Sequence, residues 1–238
     1  MSSGAAALAG ALYLGRRVGY GKQAFIPHNL PLTIIGAGLL WFGWFGFNAG
    51  SALAANGLAA SAFVTTHLAA AAAAVSWVVV EWFHRGKPTT LGMASGAVAG
   101  LVVITPAAGY VTPMAAILMG LMGGALCYGG VLAKSLFKYD DALDVVGIHG
   151  LGGTFGALAT GLFATKAVNA LGADGLFYGN PGQLWIQFVS VVATWVFCFV
   201  MSLLLYKVVD VLVGIRVSQD DETKGLDVTQ HSEVGYQL

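Results

Sequence analysis

Asp144-Val-Val-Gly-Ile-His149-Gly150-Leu-Gly-Gly153 opens an apolar stretch that runs on to residue 164, with a single imidazole five residues inside it. A bilayer core about 30 Å thick takes roughly 20 apolar residues per helix, so residues 144–164 read as a membrane span carrying an ionisable group at depth. Composition places the rest of the chain in the same solvent. Of 238 residues, 57% are hydrophobic and 9% charged, whereas a soluble domain carries about 25% charged residues. The expected fold class is all-α, a polytopic membrane helix bundle.

Outward from this stretch, further full spans read at 30–53, 58–83, 89–109, 112–136 and 183–213, with a shorter apolar leader at 4–14. The links at 16–29, 84–88, 134–141 and 165–181 carry polar, Gly or Pro residues and are too short for a soluble domain. The reading is one transmembrane bundle over residues 1–214 and a polar tail over residues 215–238.

Eleven Lys and Arg balance eleven Asp and Glu without a long basic run, which argues against nucleic acid as a partner. Cys127 and Cys198 lie in apolar stretches without metal-ligand spacing. The first residues lack the basic and apolar regions of a secretory signal, so insertion rests on the spans themselves.

Lys and Arg favour the cytoplasmic ends of spans. Arg16, Arg17, Lys22, Arg85, Lys87, Lys134, Lys138, Lys207, Arg216 and Lys224 fall on one side and Lys166 alone on the other. That asymmetry puts the tail in the cytoplasm, and the expected location is the plasma (inner) membrane, crossed several times.

Glycines recur four apart at Gly92, Gly96 and Gly100, at Gly46 and Gly50, and at Gly152 and Gly156. In lipid, such rows let helix backbones approach closely, so close helix contacts are expected along each of them.

An ionisable side chain at membrane depth usually faces a bundle interior or an aqueous path. His149 is flanked by glycine, and desolvation favours its neutral form, which offers one donor and one acceptor nitrogen. A structural histidine bonded to a neighbouring helix and a pore-lining one both satisfy the residues. His67, beside Thr65 and Thr66, reads as a histidine satisfied by hydroxyls. Glu81 and Arg85 stand four apart, an arrangement that suits an interfacial ion pair. Asp144 reads as the cap of the histidine helix, meeting its free N–H groups and the positive end of its dipole. The aromatic run Trp41-Phe-Gly-Trp44-Phe45-Gly46-Phe47-Asn48-Ala49-Gly50-Ser51 has faces that attract a small cation, and it equally suits a membrane interface.

Several stretches together resemble the Amt/Mep/Rh ammonium transporter family, and its Amt branch in particular. They are Gly15-Arg16-Arg17-Val18-Gly19-Tyr20-Gly21-Lys22, Pro27-His28-Asn29-Leu30-Pro31, Gly43 through Ser51, Ile104-Thr105-Pro106-Ala107, Asp140-Asp141 through Gly150, and Gly225-Leu226-Asp227. They follow family order across nearly the whole chain. The resemblance implies an eleven-helix fold of two inverted repeats plus a final long helix, assembled as a homotrimer with a pore in each subunit. This chain would run from the end of the fifth helix to the eleventh, truncated at the N-terminus, with the first pore histidine and its aromatic partners lying before Met1.

By motif match, Phe47 is implied to close the outer gate, Ser51 to supply a hydroxyl of the external ammonium site, and His149 to be the second of two pore histidines. Trp44 and Thr105 are implied as lining residues, and Asp144 as the acid near the cytoplasmic end of the histidine helix. The tail over residues 225–236, with Gly225, Asp227 and Thr229, resembles a regulatory segment that contacts a PII-type protein in bacterial members. The resemblance implies no cofactor. Its implied mechanism is recruitment of ammonium, loss of a proton, and passage of ammonia past the histidine.

Two other function classes bear on the residues. An intramembrane enzyme with Ser51 as nucleophile and His149 as base lacks an identifiable orienting group and oxyanion hole. A non-conducting fragment, or an ammonium sensor or regulatory subunit, is the alternative that the tail and the missing half favour.

Overall fold

A computed structural model describes residues 1–235; Tyr236, at the end of the tail segment noted above, lies outside the described residues. The described residues form helices and connecting turns without a strand. In chain order the helices are α1 (Ser2–Leu14), α2 (Leu30–Asn48), α3 (Gly57–Arg85), α4 (Thr90–Ile104), α5 (Pro113–Phe137), α6 (Val146–Phe163), α7 (Pro181–Val213), α8 (Gln219–Lys224) and α9 (Leu226–His231). The first six residues of α6, Val146–Leu151, form a π-helical turn.

Polar caps mark where the helices start. Asn56 accepts from Ala59 N, Thr89 from Gly92 N, and Thr112 from Ala115 N ahead of Pro113, each satisfying an N–H that has no partner within its helix. Proline opens α7 as well, where its missing N–H costs nothing.

α2, α3, α5, α6 and α7 are long and apolar enough to cross a membrane. The expected span at 89–109 is shorter than read from hydropathy. α4 covers 15 residues, about 22 Å at 1.5 Å per residue. Pro106 cannot continue the helix, and the chain turns through Ala107 N→Ile104 O and Tyr110 N→Ala107 O instead.

α3 lies against both α4 and α5, and glycine sets how closely. A β-carbon on Gly96 would come 2.6 Å from Trp77 Cβ, and one on Gly100 would overlap the Ala69 carbonyl. Gly120 and Gly124 of α5 meet the Ala69 and Ala73 carbonyls from the other side, and Gly156 meets that of Val103. The Gly46–Gly50 pair behaves differently, because no described atom lies within 4 Å of where its β-carbons would be.

Glu81 departs from the interfacial pairing expected with Arg85. It is 3% exposed, and its carboxylate accepts from Thr89 N at 3.0 Å and Thr89 Oγ1 at 3.1 Å. The cap of α4 is thereby tied to α3. A buried carboxylate has to be satisfied by donors, and the start of the next helix supplies them.

Candidate functional site

His149 reaches the bundle interior on the π turn. Asp141 holds the start of that turn, its two carboxylate oxygens accepting from Val145 N at 3.1 Å and Val146 N at 2.7 Å. The cap expected of Asp144 therefore belongs to Asp141. Asp144 adopts φ 59°, which turns the chain just before the helix, and its carboxylate pairs with Lys134. Lys134 also donates to the Asp141 carbonyl at 3.1 Å, so α5 braces the whole turn.

Outside the membrane-spanning segments, the same loop is held from α1's side. Arg17 donates to Asp140 through its backbone N–H, Nε and Nη2 at 2.9, 2.9 and 2.7 Å. These bonds from Arg17 hold the Asp140 carboxyl below the usual carboxylate range. Burial pushes the neighbouring Asp141 the other way, upward.

Four of the sequence-predicted residues converge. Trp44 and Phe47 from α2, Thr105 from the end of α4, and His149 from α6 line one cavity of about 380 Å³, together with Ser2 and Ser3 at the start of α1. Trp44 Nε1 donates to Thr105 Oγ1 at 2.7 Å, and that hydroxyl donates to Leu101 O at 2.7 Å. Phe47 meets the Trp44 ring edge to face, with centroids 6.1 Å apart. Among the described residues, no hydrogen bond to the His149 ring is made.

Ser51 lies elsewhere. It lines a smaller adjoining cavity of about 170 Å³, which shares Phe47 and Thr105 with the first, and its Oγ donates to the Phe47 carbonyl at 2.6 Å. A nucleophile–base pair of Ser51 and His149 has no geometry here. Asp144 lines a third cavity, of about 600 Å³, with Ser95, Tyr128, Lys134, Glu81 and Arg85.

Sequence reasoning passed over Asn48, which is buried and donates from Nδ2 to Thr66 Oγ1 at 3.0 Å. Its signal was an amide between the predicted Phe47 and Ser51 in an apolar span. The expectation for His67 is revised. Thr65 Oγ1 is committed to the Ala108 carbonyl at 2.7 Å and Thr66 Oγ1 to that of Ala62 at 2.6 Å. The His67 ring lies against Trp41 and Phe45 instead, with centroids 5.4 and 6.1 Å away.

The tail folds back on the bundle. Glu222 accepts from Val18 N at 2.7 Å and Arg216 Nη2 at 3.0 Å, while Arg216 donates to the carbonyls of Leu14 and Arg16. The Val18 N–H and the Arg216 guanidinium hold the Glu222 carboxyl below its ordinary value. Gly225 has φ 105° between α8 and α9, and its carbonyl accepts from Thr229 Oγ1 at 3.0 Å. Asp227 lies in the first turn of α9.

The chain is 52% identical over 238 residues to the ammonium transporter of Bacillus subtilis, matching all of this chain and 58% of that protein. It is 49% identical over 236 residues to ammonium transporter Amt1 of Archaeoglobus fulgidus, matching 99% of this chain and 60% of that one. Among solved structures, Candida albicans Mep2 superposes with a TM-score of 0.86 at 37% identity, over 92% of this chain and 50% of its own. A structure described as a sensor Amt protein gives 0.86 at 31% identity, over 95% and 56%. The chain thus spans half to three-fifths of the length of these relatives. With apolar helices that can cross the membrane several times and a family model matched over residues 1–236, this multi-pass membrane protein belongs to the Ammonium Transporter Family, a family of transporters and not of enzymes.

Proposed function

We propose that this chain supplies the His149-bearing half of an ammonium transporter. The observation that carries the reading is the convergence of Trp44, Phe47, Thr105 and His149, from three helices, on one cavity inside a membrane bundle. A cation stripped of water in a low-dielectric conduit costs up to tens of kcal/mol, whereas a small neutral amine pays only the loss of a few hydrogen bonds. A site of this kind favours passage of ammonia over ammonium.

In this reading Ser51 and the aromatic faces collect ammonium at the outer end, Phe47 gates the path, and Trp44 and Thr105 line it. His149 offers its ring to ammonia, and Asp144 serves the opposite end of the histidine helix. Residues 1–214 form the membrane domain of a homotrimer in the plasma membrane, and residues 215–238 form a cytoplasmic tail that receives a PII-type regulator through Gly225, Asp227 and Thr229.

A second reading, an ammonium sensor or non-conducting subunit, draws on the fit to the sensor Amt structure and on the folded tail. The test uses cells lacking ammonium transporters. They receive either this chain alone or this chain joined at Met1 to the N-terminal part of the Bacillus subtilis protein that it does not match. Growth on limiting ammonium with the fusion, and its loss in His149→Ala at equal abundance, is the expected result. A fusion that accumulates, binds ammonium and moves none favours the sensor.

A further inference from the structure

We infer that the π-helical turn Val146–Leu151 is a positioning device for His149, and that Gly147 is its positioning residue. The inference rests on the reading of the His149 cavity as an ammonia path. Its geometry is independent of that reading.

Gly147 and Gly152 both face α5. A β-carbon on Gly147 would come 2.8 Å from Val131 N and 3.0 Å from the Gly130 carbonyl carbon, and one on Gly152 would come 2.9 Å from Cys127 Sγ. These two glycines are five residues apart. In an α-helix, residues five apart point about 140° away from each other. A turn whose hydrogen bonds step by five residues returns them to one face.

The contact surface on α5 is itself a single face, because Cys127 and Gly130 stand three apart. α1 grips the same segment along another line. A β-carbon on Gly4 would overlap the backbone of Gly150, and one on Gly153 would meet Met1. His149 stands in the chain between Gly147 and Gly150, which make these contacts, and lines the cavity with Trp44, Phe47 and Thr105.

If the segment wound as a plain α-helix, Gly147 and Gly152 could not both seat on α5. Keeping α6 in place beyond Gly152 would then rotate the residues before it by about 100° for the one residue of register lost. The π turn absorbs that residue. Single π turns within α-helices occur frequently at functional sites, and here the wide turn carries the one ionisable side chain of the cavity.

The test is made in the fusion described above, reading ammonium-evoked current in proteoliposomes, half-saturation, and the charge moved per methylammonium carried, all at matched abundance. Gly147→Ala drives a methyl into the α5 backbone at Val131 N and the Gly130 carbonyl carbon and is expected to cut current by about tenfold or more, as small misplacements of a reacting group do. Half-saturation stays unchanged and the charge ratio shifts toward that of His149→Ala. Gly129→Ala, next to the seam but with nothing within 4 Å, is expected to match the parent.

If Gly147→Ala does not accumulate, Gly130→Ala carries the test, since its β-carbon meets the movable Leu151 side chain at 2.8 Å and the Gly147 carbonyl at 3.2 Å. A loss of about threefold with the same shift in charge ratio is expected there. The inference is overturned if His149→Ala alters the charge ratio while every seam variant that accumulates keeps the parent's value. If His149→Ala itself leaves current and ratio untouched, the reading of the cavity falls, and the positioning role with it.

Discussion

Trp44 and Thr105, on different helices, are locked by one hydrogen bond of 2.7 Å from indole to hydroxyl, and the same hydroxyl donates back to Leu101 at the end of α4. Thr105 stands where Pro106 stops the helix, so its side chain does two tasks at once. It gives the Leu101 carbonyl a second donor beside the Thr105 N–H, and it fixes the ring that walls the His149 cavity.

Thr105→Val removes both bonds while keeping the shape. The Leu101 carbonyl keeps the Thr105 backbone N–H at 3.2 Å, but the indole N–H loses its acceptor, at a cost of about 1 kcal/mol for a part-buried donor left unpaired. Ammonium uptake by the fusion is expected to fall severalfold, with Thr105→Ser restoring it. Equal uptake in the Val and Ser variants would remove Trp44 orientation from the account.

Asp141 and Asp144 are separable by substitution. Loss of the bonds to Val145 N and Val146 N in Asp141→Ala should cost about 1 kcal/mol, the usual value of a helix cap. Asp144→Gly relieves a positive φ and gives up only a partly exposed pair with Lys134, so its effect on thermal stability should be smaller. The reverse order in detergent melting curves would return the capping role to Asp144.

Glycine contacts predict which small-to-large changes hurt. Gly100→Ala drives a methyl into the Ala69 carbonyl of α3, and overpacking of this kind costs about 1–3 kcal/mol. Gly36→Ala meets nothing within 4 Å and should change stability by no more than about 0.5 kcal/mol. Melting temperatures of the two variants, measured side by side, check the contrast.

The tail's attachment should depend on acidity. Because the folded-state pKa of Glu222 is lowered, its contribution is fully present above the ordinary Glu value of about 4.3. It is lost as pH falls through the lowered one. Protease cleavage within residues 218–235 is therefore expected to be slow at neutral pH and to accelerate only below pH of about 4, with Arg216→Ala cleaved faster at neutral pH. An increase already complete at pH 6 would point to a different anchor.

Much of the fold was legible before any coordinates. Of the six full spans read from apolar runs, five are helices long and apolar enough to cross a membrane, and such runs are readable because every backbone group in lipid has to be bonded within its own segment. The row at Gly92, Gly96 and Gly100 likewise announced a close helix contact. The Gly46–Gly50 row had the same spacing and meets no other helix among the described residues, since periodicity marks a face without naming what lies opposite.

Hydropathy alone carried the span at 89–109 past Pro106, because the turn residues 105–109 include few polar side chains. Three acids precede the histidine helix, and which of them caps it depends on the backbone path at Asp144. That is a matter of φ and not of composition. Glu81 looked like a surface partner for Arg85 because four-residue spacing is local, whereas the burial of its carboxylate at the cap of α4 is a contact between helices.

The sequence by itself determined the solvent, the approximate spans and, through ordered motifs, the residues to watch: Trp44, Phe47, Ser51, Thr105 and His149. Only the tertiary structure decided that four of these share a cavity while Ser51 borders another, and that His149 rides on a π turn. Hydrophobicity sums along the chain and can be read residue by residue. The width of a helical turn and the meeting of side chains from three helices come from packing among segments far apart in sequence, which no local pattern encodes.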